Sequence, residues 1–149
     1  MTTPEAILLI GIQAVGKSSF VRERLSDSHV RLNLDMLRTR PREARLLEAC
    51  LRGRISFVVD NTNVTREARA RYIPAARAAG FRVIGYFFES KIGDALQRNA
   101  RRERQVPLVA ISNTSNRLEL PAVAEGFDEL HFVRLENGGF IVEPWRHEV

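Results

Sequence analysis

At 149 residues, 44% hydrophobic and 28% charged, the chain is expected to form one ordered domain, residues 1–149, burying roughly two-thirds of its unfolded surface. The opening MTTPEA has no basic leader, and the apolar run behind it covers only Ala6–Ile10. That is too short for a secretory signal or a membrane span, and with the single cysteine Cys50 the expectation is a cytoplasmic protein with no membrane association.

The formal net charge is +5, and Lys17 and Lys91 are the only lysines among 23 basic residues. Positive charge favours an anionic partner, although so strong an arginine bias also fits genomic base composition. Lys17 stands out because a chain that otherwise avoids lysine keeps one there.

Taken in chain order, short apolar runs alternate with longer helical patterns. The spacing predicts strands over Ala6–Ile10, Val30–Leu34, Ile55–Asp60, Arg82–Phe88 and Glu129–Leu135. Helices are predicted over Lys17–Leu25, Pro41–Arg52, Arg66–Ala79, Ile92–Arg104 and Leu108–Leu118. Thr65 reads as a helix N-cap, and Gly53 and Gly80 as glycines that close helices. Cys50 lies in a helical pattern as a small buried apolar residue. ENGGFIVEPW reads as a turn at Asn137-Gly138 and a terminal edge strand. The fold expected is α/β: a five-stranded parallel sheet flanked by helices, with an arginine-rich helical lid over about 92–120 and a short C-terminal edge hairpin.

In such sheets ligands bind at the carboxyl ends of the strands. After the first strand, Gly11-Ile12-Gln13-Ala14-Val15-Gly16-Lys17-Ser18 matches G-x-x-x-x-G-K-[ST] in full, between a strand and a helix. Backbone N–H groups from Gly11 to Ser19 wrap an anionic phosphate, and the helix adds the positive end of its dipole. Lys17 reaches the β- and γ-phosphates of a nucleoside triphosphate, and Ser18 ligates Mg²⁺. Alanine rather than glycine at Ala14 is tolerable in such a loop if φ there is negative. The sequence contains no N-K-x-D guanine-reading motif, which favours ATP over a GTPase assignment.

Asp35 follows the second strand, where a carboxylate can take the proton of an attacking hydroxyl. Arg38 at i+3 shares its face and can hold an anionic group on the acceptor; a capping aspartate beside a solvated arginine is the plainer alternative. Asp60 ends the third strand as a second acidic group for Mg²⁺, directly or through water. Asn61, Thr62 and Asn63 then offer hydrogen-bonding side chains to the substrate, or an Asx turn that caps the next helix. Arg98 and Arg102 are i,i+4 neighbours on a predicted helix that also carries Arg101 and Arg104. Paired guanidiniums of this kind stabilise a transferring phosphoryl group, whereas a solvated charged face is the structural alternative.

The stretches GIQAVGKSSF, LDMLR, VVDNTNVTREARARYIPAARAAGF and RNARRERQVP together resemble the 5′-hydroxyl polynucleotide kinase family, as found in the bacteriophage enzyme and in polynucleotide kinase-phosphatases. The resemblance spans roughly Ala6 to Leu130. It implies a P-loop kinase of nucleoside-kinase-like fold using ATP and Mg²⁺. Lys17 and Ser18 would hold the triphosphate and metal, and Asp35 would be the general base. Arg38 would contact the acceptor's 3′-phosphate, with Arg102 and Arg98 as lid arginines. The acceptor expected is a 5′-hydroxyl polynucleotide. A small hydroxyl compound keeps the same chemistry, and a non-catalytic nucleotide-binding regulatory module is the reading from another class. Nothing in the residues calls for an obligate protein partner.

Overall fold

The structure is a computed structural model and describes residues 2–146. The strands are β1 (Glu5–Ile10), β2 (Val30–Leu32), β3 (Phe57–Val59), β4 (Arg82–Phe88), β5 (Glu129–Glu136) and β6 (Gly139–Pro144). The helices are α1 (Lys17–Arg24), α2 (Leu34–Leu37), α3 (Arg40–Gly53), α4 (Arg66–Arg69), α5 (Ile73–Ala78), α6 (Ile92–Ala100) and α7 (Leu108–Arg117), with a 3₁₀ turn over Val123–Glu125.

All six strands join one sheet in the order β2-β3-β1-β4-β5-β6. The first five run parallel, and β6 returns antiparallel along β5. The return turn sits where Asn137-Gly138 placed it, with φ of 51° and 75° at the two residues. β1 is central and apolar on both faces, because helices cover the sheet on both sides. Ala6, Leu8 and Ile10 point into one core with Phe57, Tyr72, Ile73 and Phe87. Ile7 and Leu9 point into the other with Phe20, Val58, Phe88 and Ile111. Cys50 is buried, as its helical pattern implied.

Several boundaries differ from the sequence expectation. β2 and β3 are three-residue strands, shorter than Val30–Leu34 and Ile55–Asp60. The helix expected over Arg66–Ala79 is two helices, α4 and α5, with Pro74 in the first turn of α5. Proline has no N–H to continue the ladder from α4, so the chain turns and restarts. Thr65 does cap α4, its hydroxyl accepting from the Ala68 N–H at 3.1 Å. Gly80 is left-handed just past α5, at φ 81°. Gly53 is instead the last helical residue of α3, and the left-handed cap is Arg54 at φ 53°. The helix expected over Ile92–Arg104 stops at Ala100, so Arg102 lies on a loop.

Candidate active site

The loop after β1 is fastened at both ends before any ligand is considered. The Gly11 N–H donates to the Thr62 carbonyl at 2.9 Å, and the Ile12 N–H donates to Ser90 Oγ at 3.2 Å. Gly16 is left-handed at φ 99° and starts α1, and its Cα faces Phe140 and Leu135 of the β5–β6 hairpin. A Cβ there would lie 3.2 Å from the Phe140 ring, so the hairpin closes tightly over the loop. Ala14 adopts φ 64°, so the negative φ that would make an alanine there cost-free is not met. The left-handed conformation turns the loop's backbone and is held at a strain cost that glycine would avoid. Val15 is buried in the core and offers the site only backbone, whereas Gln13, Ala14, Gly16, Ser18 and Ser19 line the cavity.

Lys17 is buried, and its ammonium donates to the Gly11 and Ile12 carbonyls at 2.6 Å each. Burial pushes its pKa down to about 8; the Asp60 carboxylate opposes the shift and the Arg102 guanidinium adds to it. The lysine thus rests on carbonyl oxygens in the mouth of an anion-binding loop, where a phosphate offers it a full charge partner.

Beside it, Ser18 Oγ donates to Asp60 Oδ2 at 3.1 Å. Asp60 is 2% exposed at the end of β3. Two hard oxygen donors side by side fit Mg²⁺, which binds few protein ligands and keeps waters and phosphate oxygens. No group of three or more His, Cys, Asp or Glu residues forms a metal cage among the described residues. Arg31 of β2 also reaches this pair, a contact that local sequence pattern does not reveal.

Asp35 sits in the first turn of α2, exposed at the cavity wall, and the residue that caps the helix is Asn33. Asn33 Oδ1 accepts from the Met36 N–H at 3.0 Å. The capping alternative for Asp35 therefore falls away. Arg38 does not share its face: α2 ends at Leu37, and Arg38 is an exposed residue at φ 80° outside the cavity lining. Arg40, at the start of α3, lines the cavity instead. It is held by Glu43 Oε1 at 2.8 Å and the Tyr72 hydroxyl at 3.2 Å. Tyr72 donates to the same carboxylate oxygen at 2.8 Å, and burial with that bond pushes its pKa up to about 12.

Asn61, Thr62 and Asn63 all line the cavity; the two asparagine side chains are committed to the scaffold, whereas Thr62 is tied to it through its carbonyl. Asn61 donates to Glu43 Oε2 at 2.9 Å and accepts from the Leu34 N–H at 3.0 Å, which ties β3 to α2 and α3. The Thr62 carbonyl holds Gly11. Asn63 is buried and donates to the Leu9 carbonyl at 2.8 Å.

Arg98 on α6 and Arg102 on the following loop both face this cavity, along with Val106. They converge although they do not share a helix. Asn99 between them is fully buried and grips the loop: its Nδ2 donates to the Val106 carbonyl at 2.7 Å, and the Val106 N–H donates back to Oδ1 at 2.8 Å. Gln13 Nε2 donates to Thr114 Oγ1 at 2.9 Å, joining the phosphate loop to α7. Sequence reasoning passed over Arg22, Asn33, Leu34, Arg40, Ala68 and Val106 among the lining residues. The cavity is about 590 Å³, within the range of ligand pockets.

A family model described as AAA domain matches residues 7–121. The bifunctional polynucleotide phosphatase/kinase of Schizosaccharomyces pombe is 27% identical over 135 residues, 87% of this chain and 33% of that protein. The chain therefore spans a third of the length of this curated relative. A solved fungal RNA kinase superposes with a TM-score of 0.71 at 13% identity, covering 92% of this chain and 40% of that one. A gluconokinase from Sinorhizobium meliloti 1021 superposes with a TM-score of 0.65 at 18% identity, covering 90% and 84%. At these identities the solved structures establish a shared fold.

Proposed function

Since the chain belongs to the AAA domain family and carries a P-loop kinase domain, we propose that it transfers the γ-phosphoryl group of ATP to the 5′-hydroxyl of a polynucleotide. One observation carries this reading. A single cavity brings together the phosphate loop with Lys17 and Ser18, the acid Asp60, the carboxylate Asp35 and the two arginines Arg98 and Arg102. Phosphoryl transfer needs those parts on one site and little else.

The roles follow from placement. The loop N–H groups and the α1 N-terminus hold the triphosphate, and Lys17 exchanges its two carbonyl partners for phosphate oxygens. Asp35 takes the proton of the acceptor hydroxyl as that oxygen attacks the γ-phosphorus; the bond to the β–γ bridging oxygen breaks and ADP leaves. Arg98 and Arg102 face the charge that gathers on the transferring group. Mg²⁺, when bound, neutralises phosphate oxygens, and Ser18 Oγ and the Asp60 carboxylate are the donors that suit it. Arg40 takes the place on the acceptor side first assigned to Arg38, since it is the one that lines the cavity beside Asp35.

The acceptor class is supported by the curated relative, whose name is that of a polynucleotide phosphatase/kinase. The fold is also shared with a gluconokinase, which keeps a small hydroxyl acceptor as the second reading.

Incubation with γ-labelled ATP, Mg²⁺ and a panel of acceptors tests the proposal: 5′-hydroxyl DNA and RNA oligonucleotides, nucleoside 3′-monophosphates and common sugars. Label on the oligonucleotides is the expected result. Label only on sugars overturns the polynucleotide acceptor, and no label on any acceptor, with ATP bound, points to a nucleotide-binding module without transferase activity.

A further inference from the structure

The Ser18–Asp60 pair already has a cation on it, supplied by the chain. Arg31 Nε donates to Asp60 Oδ2 at 2.8 Å, and its terminal NH2 lies 2.7 Å from the same oxygen. That NH2 also donates to Ser18 Oγ at 3.2 Å. Asp60 is 2% exposed while the Arg31 side chain is 36% exposed. A buried carboxylate needs a partner charge, and this one receives a guanidinium that has open solvent on its other side.

The same two oxygens are the ones whose hardness and placement suit Mg²⁺. A dication bound by Ser18 Oγ would stand within a few ångströms of a guanidinium bonded to that very atom, and like charges at such range repel. Both cations cannot share Asp60 Oδ2 without loss.

We propose that Arg31 is a resident counter-ion that competes with Mg²⁺ for Asp60 and Ser18, and so sets the metal concentration at which this site binds Mg²⁺ with nucleotide. Without metal, Arg31 neutralises Asp60 and holds Ser18 Oγ against the acid. With Mg²⁺ and nucleotide, its side chain, already 36% exposed, gives up its bonds to Asp60 and Ser18 and swings into solvent. The inference rests on the phosphate-loop reading of the site, but not on transfer or on any acceptor.

Its test therefore reads binding alone. Mg²⁺ is titrated into protein with a fluorescent, non-hydrolysable ATP analogue, for the wild type and for Arg31→Gln and Arg31→Lys. Removing a charge-assisted hydrogen-bonded partner should lower the Mg²⁺ midpoint by about tenfold in Arg31→Gln, with Arg31→Lys between the two. A midpoint that is unchanged or higher in Arg31→Gln overturns the proposal. Should Arg31→Gln not fold, the wild type carries the test, with Arg31→Lys serving only to identify one resonance. The Arg31 Nε–H resonance, identified by its loss in Arg31→Lys, should be slow to exchange with solvent in metal-free protein and with the nucleotide analogue alone. It should become fast on adding Mg²⁺. A resonance that stays protected with Mg²⁺ and nucleotide bound shows that the guanidinium remains in place, and the proposal fails. If the analogue does not bind at any Mg²⁺ concentration, it is the phosphate-loop reading that fails.

Discussion

Asn99 and Val106 clasp each other through two hydrogen bonds, the asparagine side chain pairing with the valine backbone as a neighbouring strand would. The clasp closes the loop that carries Arg102, and Arg98 lies one residue before it. Gln105 Nε2, donating to the Ala100 carbonyl at 3.1 Å, and the packing of Val106 in the core with Ala95 also tie this loop to α6. The buried Asn99 clasp makes two hydrogen bonds to it, however, so its loss loosens the aim of the arginine on the loop. Asn99→Ala leaves the half-buried Val106 N–H and carbonyl without their partner, a cost of at most about 1–3 kcal/mol, borne mostly by the loop. The expected outcome is a fall in kcat of about ten- to a hundredfold with nucleotide affinity changed much less. Steady-state kinetics beside equilibrium nucleotide binding checks it, and equal losses in both would show that Asn99 supports the whole site.

On the acceptor side, Asp35 and Arg40 make separable predictions. Asp35→Asn removes the proton acceptor and keeps the shape, so kcat should fall by about 10²–10⁴-fold while ATP still binds. Arg40→Ala should raise the KM for an anionic acceptor by about tenfold, the worth of one charged contact, whereas Arg38→Ala should leave it nearly unchanged. Transfer at the wild-type rate by Asp35→Asn would remove Asp35 from the mechanism. A larger effect at Arg38 than at Arg40 would return the acceptor contact to Arg38.

Lys17 gives the site a pH dependence of definite sign. Burial holds its pKa at about 8, below the ordinary 10.5, and a bound triphosphate favours the charged form and raises it again. Nucleotide binding above pH 8 thus takes up a proton, and affinity falls as pH rises through that value, by at most about tenfold per pH unit. Below about pH 7 the lysine is charged in both states and contributes no slope. The folded protein without nucleotide shows the opposite trend from this group: the cost of burying the ammonium is present in full below pH 8 and is relieved between 8 and 10.5, so stability rises there. Dissociation constants for an ATP analogue from pH 6.5 to 9.5 should show the decline in the wild type. Lys17→Arg, whose charge does not titrate in this range, should show a flat profile over the same interval.

How much of this was legible in the residues depends on how far each signal reaches along the chain. The apolar run Ala6–Ile10 and the loop behind it are local patterns, and strand, loop and helix stand where the spacing put them. The helical period over Arg66–Ala79 runs straight through Pro74, whose missing N–H is what splits that stretch into α4 and α5. Arg38 was placed with Asp35 by i,i+3 arithmetic, which holds only while a helix continues, and α2 ends after four residues. Arg98 and Arg102 reached the same cavity despite the wrong element for Arg102, because Asn99 folds the loop back. The contacts that hold Asn61, Arg40 and Asp60 join residues far apart in sequence, through Glu43, Tyr72 and Arg31. No local period encodes such pairs.

Arg69 is the strongest case of this kind, since a surface-looking arginine in the REARARY stretch is fully buried. Its guanidinium forms a fork with Glu125 at 2.8 and 3.1 Å and donates to the carbonyls of Asn63 and Glu119 at 2.9 and 3.1 Å. Glu125 in turn accepts from the Ala122 N–H at 2.9 Å. One side chain therefore pins the loop after β3, which lines the cavity, to the segment that leads into β5. Removing either charge strands the other in a site shielded from water, so Glu125→Gln and Arg69→Met should each destabilise the fold by about 3–5 kcal/mol. The double substitution should cost less than the sum of the two, because the unpaired charge is then gone. Denaturant unfolding of the three variants measures this, and single losses below about 1 kcal/mol would show that the fork contributes no more than a surface pair.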